Sequence, residues 1–323
     1  MTLVGANGAG KTNILEAVSL LNGGMGFRRA TSGDIARFGT DGYAVAARLS
    51  DGTEMGVFSE GGARRRAKIN GEAVPLSELS KHIVIVWLTP SEDQLFMDSP
   101  SKRRAFLDNL AAGFDDRHTG RAARLASLLS ERAYALKHGH DSTWLDQIEN
   151  NIVTAGIAVA DARVRYAAAL NGVFDAGEMG ISGMLESRII GGEKAGGIED
   201  FYRNYMAENR FLTADKMTID GPHRSDFSIY NKALDLSADK TSSGQQKLRL
   251  NRLVIANARL LFMKKPDLPL IVLLDEADSR LDKNARAELF AELSNANAQV
   301  WMSGTDAEVF ARVPNSEQIT VQN

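Results

Sequence analysis

A glycine-rich stretch near the beginning of the chain has the residue types and spacing that bind phosphate. The pattern G-x-x-x-x-G-K-[ST] is met by Gly5, Ala6, Asn7, Gly8, Ala9, Gly10, Lys11 and Thr12. In such a loop, backbone N–H groups converge on phosphate oxygens, Lys11 would reach the β- and γ-phosphates, and the Thr12 hydroxyl would ligate Mg²⁺. The stretch therefore predicts ATP and Mg²⁺ as cofactors and a catalytic role for Lys11.

Two carboxylates follow an apolar run near the other end of the chain. Residues 270–274 have the continuous apolar pattern of a strand buried on both faces, and Asp275 and Glu276 come next. Asp275 is suited to hold Mg²⁺, and Glu276 is placed to orient or deprotonate an attacking water. A pair of charges at a helix N-terminus is the structural alternative.

A third stretch, residues 241–247, is a small polar turn that opens a predicted helix. Unpaired backbone N–H groups point outward from such a turn, so Ser242, Gly244 and Gln245 could form a second anion site. A single phosphate loop does not need a second site. An ordinary helix N-cap is therefore the alternative interpretation of this turn.

Strands and helices must bring these distant residues together. The apolar residues 2–4 predict a strand before the glycine-rich loop, and an amphipathic helix is predicted after it, ending at Gly23 and Gly24. Another buried strand is predicted at residues 83–88. A strand beginning at Met1 leaves no room for the strands that usually precede such a loop in a parallel sheet, so we expect N-terminal strands to be missing.

The long separation between Lys11 and Asp275 predicts an insertion in the middle of the chain. Ser99 and Pro100 have the pattern of a helix start, and apolar residues then line one face of each of two helices separated by Gly139. Two helices with a short connection predict an antiparallel hairpin, an arm. A helical lobe that serves packing alone is the alternative.

The predicted fold class is accordingly α/β, a P-loop ATPase head with an inserted α-helical arm lobe. We assign residues 1–98 and 215–323 to the head and residues 99–214 to the arm lobe.

Composition excludes several classes of protein. The 323 residues are 44% hydrophobic and 24% charged, which is typical of a globular chain. The absence of cysteine excludes disulfides and thiolate metal sites. The net charge of −3 excludes a protein that is basic throughout, so contact with nucleic acid would need a local patch. No apolar run approaches the roughly 20 residues of a membrane-spanning helix, and we expect a cytoplasmic protein without a membrane partner.

The glycine-rich loop, the acidic pair with its strand and the turn at residues 241–247 together resemble the ABC-type ATPases. Residues 241–247 are similar to the Leu-Ser-Gly-Gly-Gln signature of that family, with matches at Ser242, Gly244 and Gln245. The resemblance implies that the signature of one copy closes on the ATP held by another, so that the protein forms an ATP-dependent homodimer.

Three further residues take roles from this resemblance. Residues 279–282 are similar to the loop that follows the acidic strand in ABC-type ATPases, which places Asp282 at the nucleotide. Gln94 is assigned to the glutamine that senses metal and water. Thr305 stands where these ATPases usually have a histidine, and a hydroxyl can bind the γ-phosphate but carries no charge. We therefore expect a weak ATPase.

Longer stretches resemble the RecF family of DNA replication and repair proteins. The similarity is carried by residues 8–16, 27–29, 99–108, 221–226 and 243–247. It implies an ATP-dependent DNA-binding protein of recombinational repair and replication restart, which helps RecR and RecO to load RecA at single-stranded gaps. The head of a short SMC-like chromosome-organising protein and a truncated inactive fragment are the alternative interpretations.

Two basic clusters are candidates for contact with DNA. The first, beside an expected hairpin turn at residues 70–71, consists of Arg64, Arg65, Arg66 and Lys68. The second, on the predicted arm, consists of Arg121, Arg124 and Arg132. No aromatic residue is interleaved with either cluster, so we predict salt-dependent binding without sequence preference or base stacking. Solvated surface charge is the alternative for both.

Overall fold

The structure of the chain is a computed structural model. It describes residues 1–37, 39–139, 141–176, 181–186, 197–210, 219–232, 235–311, 313 and 316–322. The chain divides into two compact units. We call Met1–Gln94 with Ser242–Asn323 the head unit, and Leu95–Thr241 the arm unit.

In chain order, the strands and helices of the arm unit lie between two sets of head-unit elements. The described strands are β1 (Thr2–Val4), β2 (Gly42–Arg48), β3 (Glu54–Glu60), β4 (Arg66–Ile69), β5 (Glu72–Val74), β6 (Val84–Leu88), β7 (Ile181–Glu186), β8 (Asp226–Asn231), β9 (Leu236–Ser237), β10 (Leu270–Leu274), β11 (Gln299–Gly304) and β12 (Gln318–Thr320). The described α-helices are α1 (Lys11–Leu20), α2 (Ser32–Ile35), α3 (Pro100–Phe114), α4 (His118–His138), α5 (Ser142–Ala176), α6 (Gly197–Glu208), α7 (Ser243–Lys264), α8 (Lys283–Ser294) and α9 (Ala307–Phe310).

A parallel sheet with strand order β12-β1-β11-β10-β6 forms the centre of the head unit. Every residue of β10 is buried, as the continuous apolar run predicts. Because β1 and β10 both pair with β11 in parallel, the loops after their carboxyl ends lie at the same edge of the sheet. The glycine-rich loop and the acidic pair follow these two strands.

A second, antiparallel sheet in the head unit has the order β2-β3-β4-β5. Met55 and Val57 of β3 are buried, whereas their neighbours along the strand are more exposed, so one face packs on the core and the other faces outward. The expected hairpin turn is present between β4 and β5, where Asn70 and Gly71 have φ angles of 49° and 86°.

The arm unit is built on the packing of α4 against α5. Gly139 ends α4 in the left-handed conformation, and α5 begins at Ser142, so the two predicted helices and their short connection are present. An apolar cluster that includes Leu128, Ile148 and Ile152 fills the space between them. An ion pair between Arg132 and Glu149, at 2.9 Å, also joins α4 to α5.

The arm unit also contains an antiparallel sheet, β7-β8-β9, so it is not wholly helical as predicted. The units divide at residues 94/95 and 241/242, whereas we predicted divisions at 98/99 and 214/215. The pairing of β8 with β7 keeps residues 226–231 in the arm unit. In the described part of the chain, no helix is both long enough and apolar enough to cross a membrane.

Candidate nucleotide-binding site

The glycine-rich loop leads from β1 into α1 through two left-handed residues. Gly8 and Gly10 have φ angles of 84° and 95°, a region that side chains other than glycine rarely adopt. Helix α1 begins at Lys11, immediately after Gly10. The unpaired N–H groups of its first turn and the positive end of its dipole therefore lie at the loop, where they favour an anion.

Lys11 folds back over the loop that precedes it. Its Nζ donates hydrogen bonds to the carbonyl oxygens of Gly5 at 2.7 Å and Ala6 at 2.9 Å, and the residue is only 7% exposed. The ammonium is thus held at the loop itself. This is the position from which a lysine can neutralise a phosphate bound to the loop.

The loop and the acidic strand meet through Thr12 and Asp275. The Thr12 hydroxyl donates to Asp275 Oδ1 at 3.2 Å, and the Ser303 hydroxyl donates to the same oxygen at 2.5 Å. A threonine hydroxyl and a carboxylate are oxygen ligands, the type that Mg²⁺ prefers, and Mg²⁺ usually takes one or two carboxylates and completes its shell with water and phosphate oxygens. The donors present at this point therefore fit Mg²⁺.

Glu276 combines a fixed backbone with an exposed side chain. Its φ angle is 50°, its N–H donates to Ser303 Oγ at 2.9 Å, and its carbonyl oxygen accepts a hydrogen bond from Lys247 Nζ at 2.9 Å. The peptide groups on both sides of the residue are consequently tethered, while its side chain lies at the rim of a cavity.

That cavity has a volume of about 470 Å³ and brings together residues from both ends of the chain. It is lined by Asn7, Gly8, Gly10, Lys11, Thr12, Asn13, Arg28, Asp275, Glu276, Asp278, Ser279, Gly304 and Thr305. The loop residues, the acidic pair and Thr305, all singled out in the sequence, thus share one site. Gly5, Ala6 and Ala9 belong to the same loop but are not among the lining residues described.

Several lining residues had no assigned role in the sequence. Arg28 adds a second cation, and its Nη1 donates to Asn13 Oδ1 at 2.9 Å. Asp278 adds a third carboxyl group, and burial raises the pKa of that group. Arg28 lies in one of the stretches that carry the resemblance to RecF, which is the only sequence signal that pointed to it.

Other residues assigned to the nucleotide lie outside this cavity, as far as the structure describes the chain. Ser242 is the N-cap of α7, and its hydroxyl accepts a hydrogen bond from the N–H of Gln245 at 3.4 Å. Asp282 caps α8 and accepts from the N–H groups of Asn284 and Ala285, both at 2.9 Å. Each residue thus has a local capping role within its own chain. Gly244 and Gln94 are not among the lining residues either.

Comparison with known proteins decides the family. The DNA replication and repair protein RecF of Allorhizobium ampelinum is 38% identical to this chain, over the whole chain and 91% of the relative. The chain belongs to the RecF family. RecF of Rhizobium leguminosarum bv. trifolii is 36% identical, over 98% of this chain and 89% of the relative. A family profile described as "AAA domain, putative AbiEii toxin, Type IV TA system" matches residues 1–148.

Solved structures support the same fold. The recombination mediator protein RecF-ATPrS of the RecFOR pathway has a TM-score of 0.80 at 21% identity, over 99% of this chain and 89% of that chain. An SMC head bound to the C-terminal winged-helix domain of ScpA has a TM-score of 0.52 at 17% identity, over 100% of this chain and 86% of that chain. The predicted fold class, an ABC-type P-loop ATPase head with an inserted lobe, is confirmed.

The first basic cluster of this RecF-family chain lies along a surface groove of about 640 Å³ beside β4. Arg66 and Lys68 approach the ring of Phe58, which pairs with Arg66 across the strands, at 5.2 and 5.5 Å from its centroid. No aromatic residue is interleaved with this cluster in the sequence, but the structure places the ring of Phe58 beside it. Phe58 is eight positions before Arg66 in the sequence, and only the β3-β4 pairing brings the two together.

Residues of this first cluster differ in how firmly they are held. Arg65 donates to the carbonyl oxygen of Gly24 at 3.0 Å, and Arg66 pairs with Glu60 at 3.1 Å. Arg64 and Lys68 are exposed and line the groove. Arg64 and Lys68 are therefore the candidates to present charge to the groove, whereas Arg66 shares the groove with its ion-pair partner Glu60.

The second cluster is not a continuous basic stripe. Arg121 pairs with Asp115 at 2.7 Å, and Arg132 is buried against Glu149. Arg124 is exposed on α4. The prediction of a stripe that includes Arg132 is wrong, because the helical period places that arginine on the face of α4 that packs against α5.

Proposed function

We propose that this RecF-family protein is an ATP-dependent DNA-binding protein of recombinational repair and replication restart. The observation that supports it best is the convergence of Lys11, Thr12 and the Asp275-Glu276 pair on one cavity. A phosphate loop, a metal-binding carboxylate and a second carboxylate for water are the parts that nucleotide hydrolysis needs. The RecF structures similar in fold to this chain are described with ATP and with ATPrS, which agrees with the same ligand here.

Within this site each group of the chain has a distinct task. The loop N–H groups and Lys11 would bind the phosphates, and Thr12 and Asp275 would hold Mg²⁺, which would supply positive charge for phosphoryl transfer. Glu276 orients the attacking water and accepts its proton. Thr305 at the cavity rim can donate a hydrogen bond to a γ-phosphate oxygen but cannot supply the charge of a protonated histidine. The proposed activity is therefore weak ATP hydrolysis.

The turn at residues 242–245 serves a second copy of the chain in this proposal. Ser242, Gly244 and Gln245 lie outside the cavity of their own head unit, and the first turn of α7 offers N–H groups to an anion. Two copies related by a twofold axis would each complete the other's site. ATP would then act as the link that holds a homodimer together.

The groove beside β4 is the proposed contact with DNA. Arg64 and Lys68 place two positive charges along it, and phosphates are the groups that such charges bind without regard to sequence. Because dimerisation would present two such grooves at once, ATP would raise affinity for DNA without any new side chain. RecR, RecO and RecA are the proposed partners, with loading of RecA at single-stranded gaps as the outcome.

Retention of gapped DNA at increasing salt concentration, in the presence of ATP and Mg²⁺, tests this function. We expect Lys11→Ala to lose both ATP and DNA, because the loop would lack its cation. We expect the Arg64→Gln/Lys68→Gln double variant to bind ATP normally and bind DNA more weakly. Its slope of log affinity against log salt should be smaller by about 2 to 4, because the dimer would lose one or two phosphate contacts in each of its two grooves.

Arg48→Gln is the matched control for the basic groove. Arg48 is an exposed arginine of the same antiparallel sheet, and its charge is already paired with Glu54. Its variant should bind DNA like the wild type. DNA binding by Lys11→Ala at the wild-type level would show that ATP does not control DNA binding and would contradict the proposal.

A further inference from the structure

Lys247 is a buried lysine in the second turn of α7, only 1% exposed. An ammonium group has three N–H donors, and burial is costly unless all three are used. Its Nζ donates to Asp93 Oδ2 at 3.2 Å, to Ser279 Oγ at 2.6 Å and to the carbonyl oxygen of Glu276 at 2.9 Å. Two segments of the head unit, one at Asp93 and one at residues 276–279, are thus joined to α7 at one side-chain nitrogen.

One of these segments carries the carboxylate assigned to the attacking water. The N–H of Glu276 is held by Ser303 Oγ, and its carbonyl oxygen is held by Lys247, so the two hydrogen bonds fix the peptide groups on either side of its Cα. Glu276 has a φ of 50°, a conformation that costs energy for a residue with a side chain and persists only when its surroundings hold it. The direction in which its carboxylate leaves the backbone therefore depends on Lys247.

The other end of this connection is the turn proposed to meet a partner's nucleotide. Ser242 begins that turn, and Lys247 lies five residues further along the chain. Gly244 packs closely against the loop after Glu276, since a Cβ at that position would lie 2.9 Å from the carbonyl oxygen of Arg280. The turn and the loop are in direct backbone contact, so a displacement of one is transmitted to the other.

We propose that Lys247 is a positioning residue that couples the turn at residues 242–245 to the orientation of Glu276. This inference rests on the proposed function, in which the turn binds a partner's ATP. Seating of the turn on that ATP fixes the first turn of α7. Lys247 then holds the Glu276 backbone so that the carboxylate faces the water in its own cavity. ATP hydrolysis in one copy of the chain thereby depends on binding of the second copy in the dimer.

The Asp93→Asn/Lys247→Met double variant tests the proposal, with the single Lys247→Met beside it. Methionine keeps the length of the lysine stem, and asparagine avoids leaving Asp93 as a buried charge without its cation. In single-turnover assays we expect the double variant to hydrolyse bound ATP about 10 to 100 times more slowly, the size expected when a reacting group is misplaced by about 1 Å. ATP affinity should stay within about twofold of the wild type, and ATP should still produce the dimer.

A second measurement separates positioning from a general loss of structure. When Lys247 acts through Glu276, the same substitutions have little further effect on the rate in a Glu276→Gln background, whereas independent damage would multiply with it. Arg252→Met is the matched control. Arg252 is on the same helix, but it pairs with Glu288 and Glu292, away from Glu276. Its variant should hydrolyse ATP at the wild-type rate.

Three outcomes would overturn the inference. One is a double variant that folds, binds ATP and hydrolyses it as fast as the wild type. Another is an effect that multiplies fully with that of Glu276→Gln. In either of these two cases the proposed function stands as long as the wild type hydrolyses ATP and dimerises. A wild-type protein that neither hydrolyses ATP nor dimerises would contradict the proposed function and this inference together.

Discussion

Ser303 connects the carboxylate of Asp275 to the backbone of Glu276 through a single hydroxyl. It is 0% exposed, donates to Asp275 Oδ1 at 2.5 Å and accepts from the N–H of Glu276 at 2.9 Å. The hydroxyl therefore orients the proposed Mg²⁺ ligand and at the same time restrains the residue proposed to act on water. At the scale of single residues, the site depends on such supporting groups as much as on the groups that would touch ATP.

Ser303→Ala should weaken both the fold and the chemistry. The substitution leaves a buried N–H and one carboxylate oxygen short of a partner, which costs about 1 to 3 kcal/mol. We expect a lower free energy of unfolding in urea and slower single-turnover hydrolysis. Ser294→Ala is the control, because that hydroxyl only donates to Phe290 O within α8. Equal stability of the two variants would show that Ser303 does not hold the acidic pair.

Residue type and spacing predicted the groups proposed to touch ATP but not those that support them. Lys11, Thr12, Asp275 and Glu276 follow buried strands in patterns that have a chemical meaning on their own. Lys247 has no such pattern, because a lysine near a helix start is commonly solvated. Its burial depends on Asp93, more than 150 positions away, and only the folded chain brings the two together.

At the scale of elements, the arm unit is held by ion pairs between segments that are distant in sequence. Arg103 of α3 donates to both carboxylate oxygens of Asp226 at the start of β8, at 2.8 and 2.6 Å. These hydrogen bonds lower the pKa of Asp226 and outweigh its burial, which acts in the opposite direction. Bidentate pairing of this kind fixes the helix relative to the strand.

This lowered pKa predicts loss of stability in acid. A carboxyl group whose pKa is lower in the folded state stabilises the fold fully above its unfolded pKa, about 4 for aspartate, and loses that contribution as the pH falls through the folded pKa. We expect the urea midpoint of the wild type to fall below about pH 4, and Asp226→Asn to be less stable at pH 7 with a flatter pH profile. Circular dichroism at a series of pH values measures both.

Asp161→Asn is the matched control for that pH series. Asp161 also pairs with an arginine in the arm unit, but both partners are more than half exposed, and surface pairs contribute little. The variant should follow the wild-type pH profile. If Asp226→Asn follows the same pH profile as the wild type, the ion pair of Asp226 with Arg103 does not account for the loss of stability in acid.

The elements themselves were predictable to different degrees. Continuous apolar runs predicted β6 and β10, and helical spacing together with Gly139 predicted α4 and α5. The short strands β8 and β9 were not predicted, since burial alternates over only a few positions and the pairing of β8 with β7 and with β9 decides their place. The predicted end of the arm unit, residue 214, precedes these strands, whereas the unit extends to Thr241.

At the scale of the whole molecule, the head unit contains two turns that we propose bind phosphate, at residues 5–12 and 242–245. The first shares a cavity with the acidic pair, and the second caps α7 outside that cavity. A single copy leaves the second turn without a phosphate to bind. In the proposed dimer each turn has a nucleotide, and two DNA grooves act together.

Sedimentation velocity with ATP and Mg²⁺, compared for the wild type, Glu276→Gln and Ser242→Arg, tests this account most directly. We predict that Glu276→Gln, which binds ATP but lacks the base for water, accumulates as a dimer that the wild type forms more transiently. Ser242→Arg should bind ATP and remain monomeric, because the bulky side chain blocks the turn from a partner's nucleotide. A Glu276→Gln protein that is saturated with ATP and still sediments as a monomer would contradict the account.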